Sequence, residues 1–116
     1  MSSPRASSDT IESRITYVGV RPVLLDTDLA ELHGLPLPTL REIVLKHFDH
    51  FPGELCFQPE AAELRGVRPK ERPDVFTEQG AWMAAALIGS PAARILTIEI
   101  SRAFARARRQ SPRNQS

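Results

Sequence analysis

Apolar positions along this chain recur first at a spacing of about two and then at three and four. The stretch RITYVGVRPVLLD (14–26) sets β-branched and aromatic residues on both sides of Gly19. It predicts two short strands, about 14–18 and 22–25, around a turn. Pro22 cannot donate a ladder hydrogen bond, so it belongs at a strand start or an edge. Asp26 then ends the strand and is placed to cap a helix over 27–33, which Gly34 stops in the left-handed conformation. A second helix starts at Pro38, a residue tolerated in a first turn. It keeps Leu40, Ile43, Val44 and His47 on one face and breaks at Pro52 and Gly53.

Further on, ELCFQ (54–58) is a short strand candidate and PEAAELRG (59–66) one or two helical turns. GVRPKERPD (66–74) reads as a loop. In VFTEQGAWMAAALIGS (75–90), Thr77 caps a helix and Glu78 sits in its first turn, where negative charge is favoured. Trp82, Met83, Leu87 and Ile88, with four alanines, predict that this helix is largely buried. Gly89 ends it. Ser90 caps a last helix that opens at Pro91 and runs to about 109. Leu96, Ile100, Ala103, Phe104 and Ala107 form its apolar stripe.

A strand pair followed by helices, with a short strand between, gives an α+β domain. The expected architecture is a single small domain with a short N-terminal strand pair, a helix-turn-helix-like unit and two C-terminal helices. The two-helix unit flanked by short strands would suit a winged helix-turn-helix variant. Residues 1–10, Ser-rich and polar, read as a disordered tail, 11–109 as the domain, and 110–116 as a second tail.

At 116 residues the chain has room for one domain. Its 41% hydrophobic and 25% charged content is an ordinary globular balance. No apolar run approaches the ~20 residues that span a bilayer, so no membrane role is expected. The opening MSSPRASSDT lacks the apolar core of a secretory signal, and Cys56 is the only cysteine, so no intramolecular disulfide forms. The expected location is cytoplasmic.

Net charge is only +1, but it is unevenly spread. From Arg94 onward there are six arginines and one acid, Glu99, while the rest carries nine basic and thirteen acidic residues. Arg102, Arg106 and Arg109 recur at i, i+4 and i+7 on the more exposed face of the last helix. Such a face attracts a polyanion. It equally suits a solvated helix end, where cations favour the dipole.

The stretch DTDLAELHGLPLPTLREIV (26–44) meets the local needs of a DNA-reading helix-turn-helix. Such a unit needs a small residue where the helices cross, a turn residue that accepts positive φ, and apolar residues that lock the second helix on the first. Ala30, Gly34 and the set Leu29, Leu35, Leu40 and Ile43 supply these. The second helix would face the major groove with Thr39, Arg41, Glu42, Leu45 and Lys46. Arg41 reaches guanine edges or phosphate, Lys46 reaches phosphate, and Thr39 lies at the helix start near the backbone. The bland alternative is an ordinary helical hairpin.

The strings LLDTDLAELHGL, FP, CFQ, FTEQG and ISRAFARAR stand in that order over about 11–108. Together they resemble the KilA-N-like domains of phage and bacterial proteins, in the branch called the Orf-six N-terminal domain. The matching positions are Asp26, Asp28, Leu29, Ala30, Leu32, Gly34, Phe51, Pro52, Phe57, Gln58, Phe76 to Gly80, Met83 and Arg102 to Phe104. The resemblance implies a small α+β DNA-binding domain of phage antirepressor-like or regulatory proteins, without enzymatic activity or cofactor. In the family it is often joined to a separate C-terminal domain, so an effector domain is expected to be missing or truncated here. The family's second helix tends to be rich in Lys and Arg. Here the corresponding places hold Pro38, Thr39, Leu45, Lys46, His47 and His50, and its usual Asn is Arg41. Fewer phosphate contacts imply weaker, less salt-sensitive binding.

Other constellations carry less. His47, His50 and Cys56 match no usual zinc spacing and lack a fourth ligand; on a DNA face the two histidines would be pH-dependent phosphate contacts. No nucleophile, acid pair or phosphate loop stands out, so no enzyme, metal or cofactor is expected. FTEQG reads as a strand-to-helix corner whose Gly80 allows close backbone packing. The leading expectation is a non-enzymatic duplex-DNA-binding module in phage-type transcription regulation, using Thr39, Arg41, Lys46, His47, His50, Arg102, Arg106 and Arg109. The alternative is a protein-interaction module that kept the fold and lost DNA affinity, pairing with a repressor or with itself. The exposure expected of Leu37 and Leu45 motivates it.

Overall fold

The structure, a computed structural model, describes residues 7–63 and 73–110. Its elements are α1 (Ser8–Glu12), β1 (Thr16–Val18), β2 (Arg21–Leu25), α2 (Asp26–His33), α3 (Leu37–Lys46), β3 (Cys56–Phe57), β4 (Val75–Phe76), α4 (Glu78–Ile88) and α5 (Pro91–Gln110). Single 3-10 turns lie at Phe48–His50 and Ala61–Glu63. The α+β class is as expected. Residues 1–6 of the first expected tail, most of the loop expected over 66–74 and residues 111–116 of the second expected tail lie outside the described residues, while Gln110, expected to open that second tail, closes α5.

The strand pair turns at Gly19, whose φ of 64° lies in the left-handed region that glycine tolerates. It grows into a four-stranded antiparallel sheet in the order β1-β2-β4-β3. Leu24 lies opposite Phe76, and Cys56 lies opposite Phe76 on the other side. Alternation along the strands splits the apolar residues between two faces. Leu24 and Phe76 join the main core, while Val23, Leu25 and Val75 form a smaller cluster with Val18 and Phe57.

The main core lies between the sheet and the helices. It gathers Leu29 and Ala30 of α2, Leu40 of α3, Ala81 and Ala84 of α4, and Leu96, Ile100, Ala103 and Phe104 of α5. The stripe read for α5 is buried throughout, Ala107 included. The α4 reading needs correction. Its buried residues are Gly80, Ala81, Ala84 and Ala85, whereas Trp82 is exposed and Met83 and Leu87 are only partly buried. Three of the four alanines, Ala81, Ala84 and Ala85, face inward because α5 packs close against this helix, leaving Ala86 and the large indole outside.

The expected disordered tail over 1–10 is corrected for its last four residues. Ser7 and Thr10 form a reciprocal cap, with each side chain accepting from the other's backbone N–H. Ile11 is fully buried in the main core. Ser8 N–H donates to Glu99 Oε1 at 3.0 Å, and Arg106 pairs with Asp9, so α1 is fastened to α5 at two points.

Candidate nucleic-acid interface

The two-helix unit is built largely as its sequence implies. Gly34 adopts φ 69° and ψ 29°, and its N–H donates to Glu31 O while Leu35 N–H donates to Ala30 O. This pair of bonds is the Schellman stop, which satisfies carbonyls that the ended helix leaves open. Residues 34–36 then turn the chain into α3, which begins at Leu37 with Pro38 in its first turn. Ala30 and Leu40 are buried, so α3 is locked onto α2 by its inward side. Leu37 and Val44 also pack on the core, which corrects the expected exposure of Leu37.

Asp26 does not act as the expected N-cap. The helix starts at Asp26 itself, with Leu25 as the capping residue and no side-chain capping bond. Its carboxylate is instead buried, 1% exposed. Oδ2 accepts from Asp74 N–H at 3.3 Å and lies 3.4 Å from Arg41 Nη2. Asp26 N–H donates back to Asp74 O at 2.9 Å. Burial pushes the Asp26 carboxyl above the usual aspartate value, while the Asp74 N–H and the Arg41 charge work against the rise. A residue that precedes an apolar helix reads as a cap in sequence; nothing local reveals that β4 will arrive beside it.

The remaining predicted site residues are placed as follows. Thr39 is half-buried in the first turn of α3, and Arg41 is the partner of Asp26. Lys46 is exposed at the helix end, 4.0 Å from Glu42. His47 and His50 meet edge to face, centroids 5.6 Å apart, and His50 Nδ1 is 3.2 Å from Asp49. Leu45 and Phe48 are largely exposed beside them. On α5, Arg102 pairs with Glu99 at 3.2 Å, Arg106 with Asp9, and Arg109 is exposed. The helices α2 and α4 each pack against both α3 and α5. The basic sets of α3 and α5 therefore sit on two different helices that turn their apolar sides to one core.

FTEQG resolves residue by residue. Phe76 is core. Thr77 Oγ1 accepts from Gly80 N–H at 3.3 Å and donates to Glu54 O at 2.9 Å, capping α4 and fixing the turn before β3. At Gly80 an added Cβ would meet Leu55 O at 1.9 Å, so only glycine fits this approach. Glu78 binds Arg108 at 2.6 Å. Gln79 is exposed and, with Arg21, Glu78 and Arg108, lines an open cleft of about 340 Å³. Arg21 also stacks its guanidinium over Phe57, 5.1 Å from the ring centroid. Sequence reasoning missed Arg21 and Arg108 because the start of a strand and the end of a helix meet here only through the fold.

The Cys56 thiol is pushed up to about 12, first by burial and then by Asp74 and Asp26 nearby. Among the described residues no group of three His, Cys, Asp or Glu is placed to hold a metal ion. Among the same residues no helix is long and apolar enough to cross a membrane.

A sheet-supported two-helix unit with the FTEQG corner defines a small single-domain α+β protein. A family model for the ORF6N domain matches residues 13–87, and the chain belongs to that phage-associated N-terminal domain family. Comparison with curated proteins and with solved structures gives no match.

Proposed function

We propose that this chain is a non-enzymatic DNA-binding domain of phage-type, antirepressor-like regulation, acting in the cytoplasm and contacting duplex DNA through α3. The observation that carries the reading is the α2–Gly34–α3 unit itself. The left-handed glycine stop and the buried Ala30–Leu40 side leave Thr39, Glu42, Leu45 and Lys46 on the outward side of α3. Lys46 supplies the phosphate contact, with His47 and His50 just beyond it. Arg41 joins only in exchange for Asp26, so few cations engage and affinity is low.

A labelled-duplex anisotropy titration from low to physiological salt tests this. Binding is expected at low salt, weakening as salt rises, and Lys46→Ala should flatten the salt slope by about one unit. A folded protein that leaves the duplex free at low salt refutes the reading.

One observation favours a second reading, a protein-interaction module that kept the fold. Among the described residues Leu45 and Phe48 are the most exposed large apolar side chains, in the last turn of α3 and the 3-10 turn just past it. A stable dimer by light scattering, without salt-dependent DNA binding, would select it.

A further inference from the structure

The core stripe is one of two apolar patterns on α5. On its outward side, Ile95, Ile98, Arg102, Ala105 and Arg109 follow one another at steps of three and four, the spacing of a helix–helix seam. Ile95 is 43% and Ile98 54% exposed, although both are large and apolar. Trp82 of α4 stands beside this seam, 41% exposed. Its indole N–H donates to Ser101 Oγ at 2.8 Å, one turn beyond Ile98. The bond fixes the ring in place and satisfies its polar atom, so the ring is a rigid apolar wall.

Apart from Glu99, the charged residues that α5 itself carries on this side are arginines. Arg94 and Arg109 are exposed, and Arg102 remains 64% exposed although paired with Glu99. Glu99, the single acid in α5, is turned toward α1, where it accepts from Ser8 N–H. Neighbouring Arg106 is likewise held by Asp9. The seam thus has an apolar half at Ile95–Ile98–Trp82 and a basic half at Arg102–Arg109.

We infer that this side of α5, walled by Trp82, is a docking surface for an acidic amphipathic helix of another protein. The partner's apolar residues cover Ile95, Ile98 and Trp82, and its carboxylates meet Arg102 and Arg109. A second copy of this side brings no carboxylate to Arg102 and Arg109, because the single acid of α5, Glu99, is already held by Ser8 N–H and Arg102. Residues 111–116, SPRNQS, carry an arginine and no acid, so they do not complement the seam. Phosphate backbones offer no apolar surface to cover the isoleucines. A bilayer takes up an amphipathic helix by its continuous apolar face, whereas the continuous apolar stripe of α5 is buried in the core and only Ile95, Ile98 and Trp82 are left outward. The inference is independent of whether α3 binds DNA.

Trp82 is the only tryptophan, so its emission reports on this surface alone. The probe is a synthetic peptide of about three heptads with leucines at the seam positions and glutamates flanking them. Added to the full chain, it should give a saturable blue shift of Trp82 emission. Ile98→Glu and the pair Arg102→Glu with Arg109→Glu should each weaken binding about tenfold or more, with unchanged circular dichroism. A peptide of the same composition with the seam scrambled should give no shift. The proposal is overturned if the heptad peptide gives no saturable shift, or if the scrambled peptide matches it. A shift produced by duplex DNA alone, by phosphatidylglycerol vesicles alone, or by raising the protein concentration alone also overturns it, in favour of those occupants.

Discussion

Two glycines show how differently the same residue type can be required. Gly34 needs freedom of φ, since nothing lies within 4 Å of an added Cβ there. Gly80 needs absence of volume, because Leu55 O occupies the Cβ position. Gly34→Ala should therefore cost about 1–2 kcal/mol, the strain of a left-handed L-residue. Gly80→Ala should cost about 3 kcal/mol or more, because backbone must move. Urea unfolding of the two variants checks the order, and an equal loss at both sites contradicts it.

Asp26 makes a third residue-scale case. Its carboxyl is raised above the ordinary value of 3.8, so the folded chain holds this proton more tightly than the unfolded chain. The associated stability is complete below 3.8 and is lost as pH rises through the higher folded value. Arg41 limits that loss by favouring the ionised form. Arg41→Ala should cost about 1–3 kcal/mol at neutral pH. The loss should shrink steadily on acidification toward 3.8, as read from Tm against pH. A loss that does not vary with pH would contradict the account.

Among the elements, α2, α4 and α5 were legible because each carries a stop or a cap that local chemistry demands, whereas α3, which has no side-chain cap and no glycine stop, ends at Lys46, before the expected break at Pro52 and Gly53. Gly34, Gly89 and the Thr77 and Ser90 hydroxyls end or open helices within a residue or so of expectation. What escaped reading is short. The α1 helix has five residues, and its apolar signal is Ile11 alone. The two-residue strand β4, legible only as one side of the FTEQG corner, has no period from which its pairing could be read, yet it joins β2 to β3 and delivers Asp74 to Asp26. Tertiary contact, not propensity, makes both. Ile11→Ala should therefore lower stability by about 2–4 kcal/mol, where a residue on the border of a disordered tail would lose almost nothing. Thermal or urea unfolding decides between these.

For the molecule as a whole, the basic residues looked like one resource in the sequence and are several in the fold. Arg14, Arg41, Arg106 and Arg108 hold Asp28, Asp26, Asp9 and Glu78, pairing residues from 14 to 97 positions apart in the chain. The candidate site was legible as a scaffold, in Ala30, Gly34 and Leu40. It was not legible as a surface, because ion pairing across the fold decides which cations remain for a partner. The most direct test of the central claim is an amide chemical-shift titration of the full chain with duplex DNA at low salt. The account predicts shifts clustered on Thr39, Glu42, Leu45, Lys46 and the following His47, weakening as salt rises. Shifts confined to 95–109 of α5, or none at all in a folded protein, would contradict it.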